Sequence, residues 1–182
     1  MSFRNQFAHP HGLGGRVAGW IMTIQNVQRN RWVLECVEPQ PNEHLLEIGC
    51  GPGVAVAEAV ARGCRVTAID PSEVMRAMAR RRNAAAIAEG RVVILDGTAE
   101  ALPAGPFDAA YAVNTPQFWV DVDATLAEVV ARLRPGGRMA LAIQPRFEGA
   151  TDADAQRLAD ENAERLVRAG FGDVRVEILP RR

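Results

Sequence analysis

The run Leu45-Leu46-Glu47-Ile48-Gly49-Cys50-Gly51-Pro52-Gly53 carries the residues with the clearest chemical meaning. A short apolar stretch leads into three alternating glycines. Glycine lets the backbone turn sharply and lets a ligand approach the main chain closely. Glu47 stands two residues before the first of them. A carboxylate there repels a pyrophosphate and suits a ligand that carries ammonium or sulfonium charge. Asp70 follows 21 residues after Gly49, at the end of a second apolar stretch. A carboxylate at that spacing can accept hydrogen bonds from both hydroxyls of a ribose.

Two ligand classes use a glycine bend of this kind, dinucleotides and S-adenosylmethionine. Dinucleotide sites want G-x-G-x-x-G, with a pyrophosphate against the following helix N-terminus. Here the spacing is G-x-G-x-G and position 54 is Val. Spacing and charge both favour the phosphate-free cation. Asp70 does not discriminate, because nicotinamide enzymes share it. A nicotinamide-dependent oxidoreductase is therefore a competing reading, and a plain strand–helix turn with no ligand is another.

These residues need a scaffold, and the periodicity supplies one. Residues 1–15, rich in Gly, His and Pro, read as an irregular arm. From Gly15 to Glu38 apolar residues recur at helical spacing, which predicts one or two helices ended by Pro39-Gln40-Pro41. Strands are expected at 44–48, 65–69, 91–95, 107–113, 138–143 and 174–179. Helices are expected at 54–62, 73–88, 124–134 and 151–170, with Ser72 and Asp123 as N-caps and Gly63 and Gly90 as stops. Strict alternation of strand and helix predicts an α/β fold, a Rossmann-like doubly wound, mostly parallel sheet of six strands with right-handed crossovers. Ligands of such sheets bind beyond the carboxyl ends of the strands, where strand order reverses. The division expected is an N-terminal arm and cap at 1–41 and a ligand-binding domain at 42–182, packed as one compact unit.

The whole resembles a class I S-adenosylmethionine-dependent methyltransferase of the small-molecule type. Glu47–Gly53 resembles its first motif and Val66–Asp70 its ribose-binding strand. Gly97-Thr98-Ala99-Glu100-Ala101-Leu102-Pro103 resembles its adenine loop, Phe107–Asn114 its fourth strand, and Leu133-Arg134-Pro135-Gly136-Gly137-Arg138 the turn into its fifth. The resemblance implies S-adenosylmethionine as cofactor and S-adenosylhomocysteine as product. It places Glu47, Gly49, Cys50, Gly51 and Gly53 around the methionine part and Asp70 on the ribose. Pro71 or Met75 packs on the adenine, and Thr98 and Ala99 meet its edge. Many relatives have Asp at position 98, and a threonine hydroxyl can still accept the same hydrogen bond. Asn114 lies near the transferred methyl. The N-terminal helices resemble a variable cap over the substrate. The family sheet ends with a seventh, antiparallel strand, yet only Pro180-Arg181-Arg182 follow Leu179. The expectation is a sheet one strand short, or an edge that another segment or a second subunit of a homodimer covers.

For the acceptor side, His9 and His11 are the candidate bases, with imidazoles suited to proton transfer near neutral pH. Tyr111 reads as a core residue, and Asp121 is explained equally by a turn. Trp20, Phe118, Trp119 and Phe147 are candidates for an apolar acceptor pocket. Asn114-Thr115-Pro116-Gln117 differs from the Asn/Asp-Pro-Pro-aromatic signature of methyltransferases acting on nucleic-acid bases. A net charge of −1 over 182 residues agrees with a small-molecule partner and no nucleic acid. Cys36, Cys50 and Cys64 show no metal spacing, so no metal is expected and a reduced, cytoplasmic setting fits. No stretch is apolar for the length of a membrane span. The expected activity is methyl transfer to a small molecule by direct in-line displacement. The alternative is a protein of the same fold that binds the cofactor without turnover.

Overall fold

The computed structural model describes residues 27–145, 147 and 149–179. Five strands are present among them: β1 (His44–Ile48), β2 (Arg65–Asp70), β3 (Val92–Asp96), β4 (Phe107–Val113) and β5 (Leu133–Ala142). They pair in the order β3-β2-β1-β4-β5, all parallel. Strand order reverses between β1 and β4, so the carboxyl ends of those two strands frame the crevice where this architecture takes ligands.

Burial on both faces explains the apolar runs. On one face α1 (Val27–Val37) and α2 (Val54–Ala61) lay Val33, Leu34, Val37, Ala55, Val56 and Ala59 against Leu45, Val66, Ala68 and Tyr111. Helices α3 (Glu73–Arg82) and α4 (Ala84–Ala88) extend that layer with Ala79 and Ala86. On the other face α5 (Val122–Arg132) contributes Val129 to a cluster with Leu46, Ile48, Ile69, Phe107, Ala110 and Ala112. Small alanines on β4 let the helices approach closely. The last helix, α6 (Asp152–Ala169), packs against α5 and buries no residue fully. Its N-terminus is a capping box, in which Thr151 and Asp154 satisfy each other's backbone N–H.

Several expectations are corrected. The sheet has five strands, not six, and is wholly rather than mostly parallel. Residues 174–179 alternate like a strand but pair with nothing in the sheet, and Val176 and Ile178 stay exposed. Alternation alone cannot supply a strand when no neighbour buries its apolar face. The described part of the expected cap, α1, is a layer helix on the sheet rather than a cover over the strand ends. Residues 1–26, with the rest of that expected cap, lie outside the described residues. The helix expected at 73–88 breaks at Asn83, and α5 starts earlier than expected because Asp121, not Asp123, is its cap, accepting from Ala124 N at 3.0 Å. Strand β5 opens at Leu133, bulges through Pro135-Gly136-Gly137, and resumes register at Arg138 opposite Ala109. Among the described residues no helix is long and apolar enough to cross a membrane.

Phe107 is fully buried, its ring edge-on to His44 at 4.8 Å between centroids. Phe107→Ala is expected to cost about 3–5 kcal/mol in urea-monitored unfolding. A loss below about 1 kcal/mol would show that this end of the sheet repacks freely.

Candidate functional site

The bend after β1 is built from three left-handed glycines, Gly49 (φ 78°), Gly51 (φ 51°) and Gly53 (φ 74°). Their surroundings differ. A Cβ on Gly49 would stand 2.3 Å from Thr115 Cγ2, and one on Gly53 would stand 2.9 Å from Ala79. Among the described residues, a Cβ on Gly51 would meet nothing within 4 Å. The outer two glycines thus serve close packing, and the middle one presents bare main chain to open space. The bend is fixed from β2: Ile69 O accepts from Gly49 N and Cys50 N at 2.9 and 3.0 Å, and Asp70 Oδ2 accepts from Gly51 N at 2.8 Å. From α3, Arg82 Nε donates to Pro52 O at 2.9 Å and Asn83 Nδ2 to Gly53 O at 3.1 Å. The Cys50 side chain is buried beneath the bend, where burial holds its thiol well above the usual range.

Glu47 lies under the bend, 3% exposed, and Tyr111 Oη donates to its Oε2 at 2.9 Å. Burial pushes its carboxyl up to about 8, the tyrosine hydrogen bond opposes the shift, and the negative charge of Asp70 adds to it. The charge expected of Glu47 is therefore held back at neutral pH. Asp70 uses its second oxygen on Ser72 N at 2.9 Å. Burial raises its carboxyl, while the N–H groups of Ser72 and Gly51 and the charge of Arg76 pull it down. The Arg76 guanidinium is itself buried and joins Asp70 O to Asp96 Oδ1, both at 2.8 Å, across the ends of β2 and β3.

The remaining expected site residues spread around this centre. Pro71 is exposed beside Asp70, whereas Met75 is buried in the core. Thr98 is exposed and hydrogen-bonds the Glu100 carboxylate, whose Oε1 accepts from Val120 N at 2.9 Å. Ala99 is buried against Leu102 and Ile69. Asn114 ends β4 with its backbone left-handed (φ 55°). Phe118 (47% exposed) and Phe147 (53% exposed) are open to solvent, while Trp119 packs partly into the core. Asp121 is spent as a helix cap and Tyr111 on Glu47. His9, His11 and Trp20 lie outside the described residues. Sequence reasoning missed Arg76, Arg82, Asn83 and Thr115. Each acts across 20 or more residues or through a main-chain carbonyl, which no local pattern announces.

The sequence profile of the family described as "Methyltransferase domain" matches residues 46–141, more than half of the chain. The chain belongs to the methyltransferase domain family. It is 28% identical over 165 residues to the uncharacterized methyltransferase YdaC of Bacillus subtilis (strain 168), covering 88% of this chain and 89% of that protein. It is 36% identical over 115 residues to nocamycin O-methyltransferase of Saccharothrix syringae, covering 61% of this chain and 41% of that one. Its fold matches phosphoethanolamine N-methyltransferase 2 of Haemonchus contortus, solved with phosphomonomethylethanolamine and S-adenosylhomocysteine. The TM-score is 0.73 at 20% identity, over 95% of this chain and 45% of that chain. The chain thus spans most of YdaC and under half of the other two. S-adenosylmethionine is the methyl donor of this class, as the residues around Glu47 predict. The described residues fit it: none lies where a Cβ on Gly51 would point, and the carboxyl groups of Glu47 and Asp70 back the bend.

Two outcomes follow for this methyltransferase domain. Gly49→Ala is expected to unfold at markedly lower temperature, since strain of about 1–2 kcal/mol adds to a collision with Thr115. Gly51→Ala carries the strain alone, so it keeps the fold while binding of S-adenosylhomocysteine drops at least tenfold in calorimetry. Equal effects of the two substitutions on stability would contradict this division of roles.

The second outcome concerns pH. Folded Glu47 holds its proton up to about 8, and the unfolded chain releases it near 4.5. Across that window the folded state binds more protons, so the contribution of Glu47 to stability is full below the window and is lost as pH rises through it. The slope approaches ~1.4 kcal/mol per pH unit at most. Thermal unfolding from pH 5 to 8.5 should show the unsubstituted protein losing stability relative to Glu47→Gln. Parallel curves would mean that Glu47 ionises as an exposed acid does.

Proposed function

We propose that this chain transfers a methyl group from S-adenosylmethionine to a small-molecule acceptor by in-line displacement. The observation that carries the reading is the bare face of Gly51, open to a ligand while Gly49 and Gly53 are closed by packing. S-adenosylmethionine supplies a methyl group on a sulfonium, whose departure leaves a neutral thioether. The protein's task is then chiefly to orient, and proximity is worth up to ~7–11 kcal/mol in favourable cases. In this reading Glu47 and the main chain of Gly49, Cys50, Gly51 and Gly53 hold the methionine end. Asp70, whose oxygens each retain a lone pair, accepts from the ribose hydroxyls. Pro71, rather than the buried Met75, lies against the adenine, with Thr98 and Ala99 at its edge. Asn114 borders the methyl, and Phe118, Phe147 and the exposed side of Trp119 line the acceptor side with Trp20. His9 or His11 supplies a base where the acceptor must lose a proton.

The O-methyltransferase of Saccharothrix syringae supports an oxygen acceptor of small-molecule size. Free Cys36, Cys50 and Cys64 suit a reduced cytoplasmic setting. The edge of β5, which no described strand covers, is where a homodimer would form.

Titration calorimetry with S-adenosylhomocysteine and with NAD separates the two cofactor classes, and only the first should bind. Asp70→Ala should weaken that binding by ~1–3 kcal/mol through two lost hydrogen bonds. Release of S-adenosylhomocysteine with a panel of hydroxyl, amine and thiol acceptors then tests turnover. Unchanged affinity in a folded Asp70→Ala protein, or preference for NAD, would overturn the reading.

A further inference from the structure

Asn114 combines three unusual features at the end of β4. Its backbone is left-handed, a conformation that costs most residues about 1–2 kcal/mol and that asparagine tolerates better than larger side chains. It is 4% exposed although polar. Its main chain reaches the last residue of β5, and its side chain reaches the chain two residues further on. Asn114 N donates to Ala142 O at 2.7 Å, extending the ladder of β4 with β5, and Asn114 Oδ1 accepts from Gln144 N at 2.9 Å. Where the left-handed turn takes the backbone away from β5, the amide side chain stands in for the carbonyl a continuing strand would have offered. Buried left-handed residues of this kind persist only where the surroundings hold them, and they gather at functional sites.

The next residue faces the opposite way. Thr115 Oγ1 donates to Ile48 O at 2.8 Å, and its methyl group fills the space that a Cβ on Gly49 would need. Asn114-Thr115 is therefore a corner clamped to two loops at once, the glycine bend after β1 and the segment that leaves β5. Further along, the Thr151–Asp154 capping box opens the last helix. Between the two lies Phe147, which is open to solvent.

We propose that Asn114 is a positioning residue: through Gln144 N it fixes the start of the chain leaving β5, residues 143–145, relative to the glycine bend, and so sets where an acceptor stands relative to the methyl group. The inference rests on the proposed function for the identity of the two sides. Asn114 acts through the main chain of Gln144, so its amide oxygen is committed before any acceptor arrives. In-line displacement is sensitive to such placement, because a displacement of about 1 Å can cost on the order of a hundredfold in rate.

Hydrogen exchange at the Gln144 amide tests the clamp in the full chain. Asn114→Gly keeps the left-handed backbone and removes the acceptor oxygen, and Gln144 should exchange roughly tenfold faster, as for one lost hydrogen bond. Asn114→Asp keeps an oxygen in the same place and should hold exchange within about threefold of the unsubstituted protein. With any acceptor that turns over, Asn114→Gly should raise the KM for the acceptor more than the KM for S-adenosylmethionine, and Asn114→Asp should restore the ratio. Unchanged Gln144 exchange in Asn114→Gly, failure of Asp to restore it, or equal shifts in both KM values would overturn the inference. Binding of S-adenosylhomocysteine to the unsubstituted protein is read separately. Its absence would remove the methyl-transfer reading while the exchange result still decides whether Asn114 fixes the segment.

Discussion

The bend after β1 must satisfy its own backbone N–H groups and still leave one face bare. A buried loop whose amides found no partner would cost more than a ligand site returns. The chain meets both demands by drawing acceptors from the neighbouring strand: Ile69 O takes two N–H groups and the Asp70 carboxylate takes a third. All three bonds come from the β2 side, which leaves Gly51 open on the other. The parallel register of β1 with β2, Ile48 opposite Ile69, is what brings these acceptors to the right height. Displacing β2 by one residue would turn Asp70 to the opposite face of the sheet and leave the bend unsupported.

Buried charge is managed by the same economy of partners. Arg76 is enclosed beside Asp70 and answers its burial with the main chain of Asp70 and the carboxylates of Asp96 and Glu73. One oxygen of Glu47 takes the tyrosine hydroxyl, and the group meets its burial by holding a proton. The two acids behind the bend thus differ. Burial raises both carboxyls, but at Asp70 two N–H donors and the Arg76 charge oppose the rise, whereas at Glu47 only the tyrosine hydroxyl does. A site of this kind does not carry two unpaired negative charges into the interior, where each would cost several kcal/mol.

What could be read in advance divides along the range of the interactions. The first four strands and the cap at Ser72 follow from runs and spacings inside a window of a few residues. Gly49, Gly51 and Gly53 were legible because left-handed backbone leaves a mark on residue type. The failures come from contacts across the fold. Residues 174–179 alternate as a strand should, but a strand exists only where a partner lies alongside. Asn83 reads as one more helical position, yet α3 ends there and its side-chain amide reaches Gly53 O, 30 residues away. Tyr111 was recognised as core, yet its hydroxyl partner on β1 lies 64 residues back. The left-handed state of Asn114 depends on Gln144, which nothing local to β4 announces.

This division bears on what the site can do. The bend is held mainly from β2 and the end of α3, with Tyr111 of β4 on Glu47 beneath it, while Asn114 ties the end of β4 to the chain beyond β5. The two halves meet at Thr115, which hydrogen-bonds Ile48 and occupies the gap over Gly49. A reaction that needs two reactants held in line, with a neutral leaving group, asks for two rigid half-sites at a fixed separation more than for a strong acid or base. The crevice at the strand-order reversal provides that separation, since β1 and β4 are hydrogen-bonded neighbours whose following loops depart to opposite sides. Change of acceptor can then come from the β4 and β5 side alone, with the bend on the β1 and β2 side left as it is.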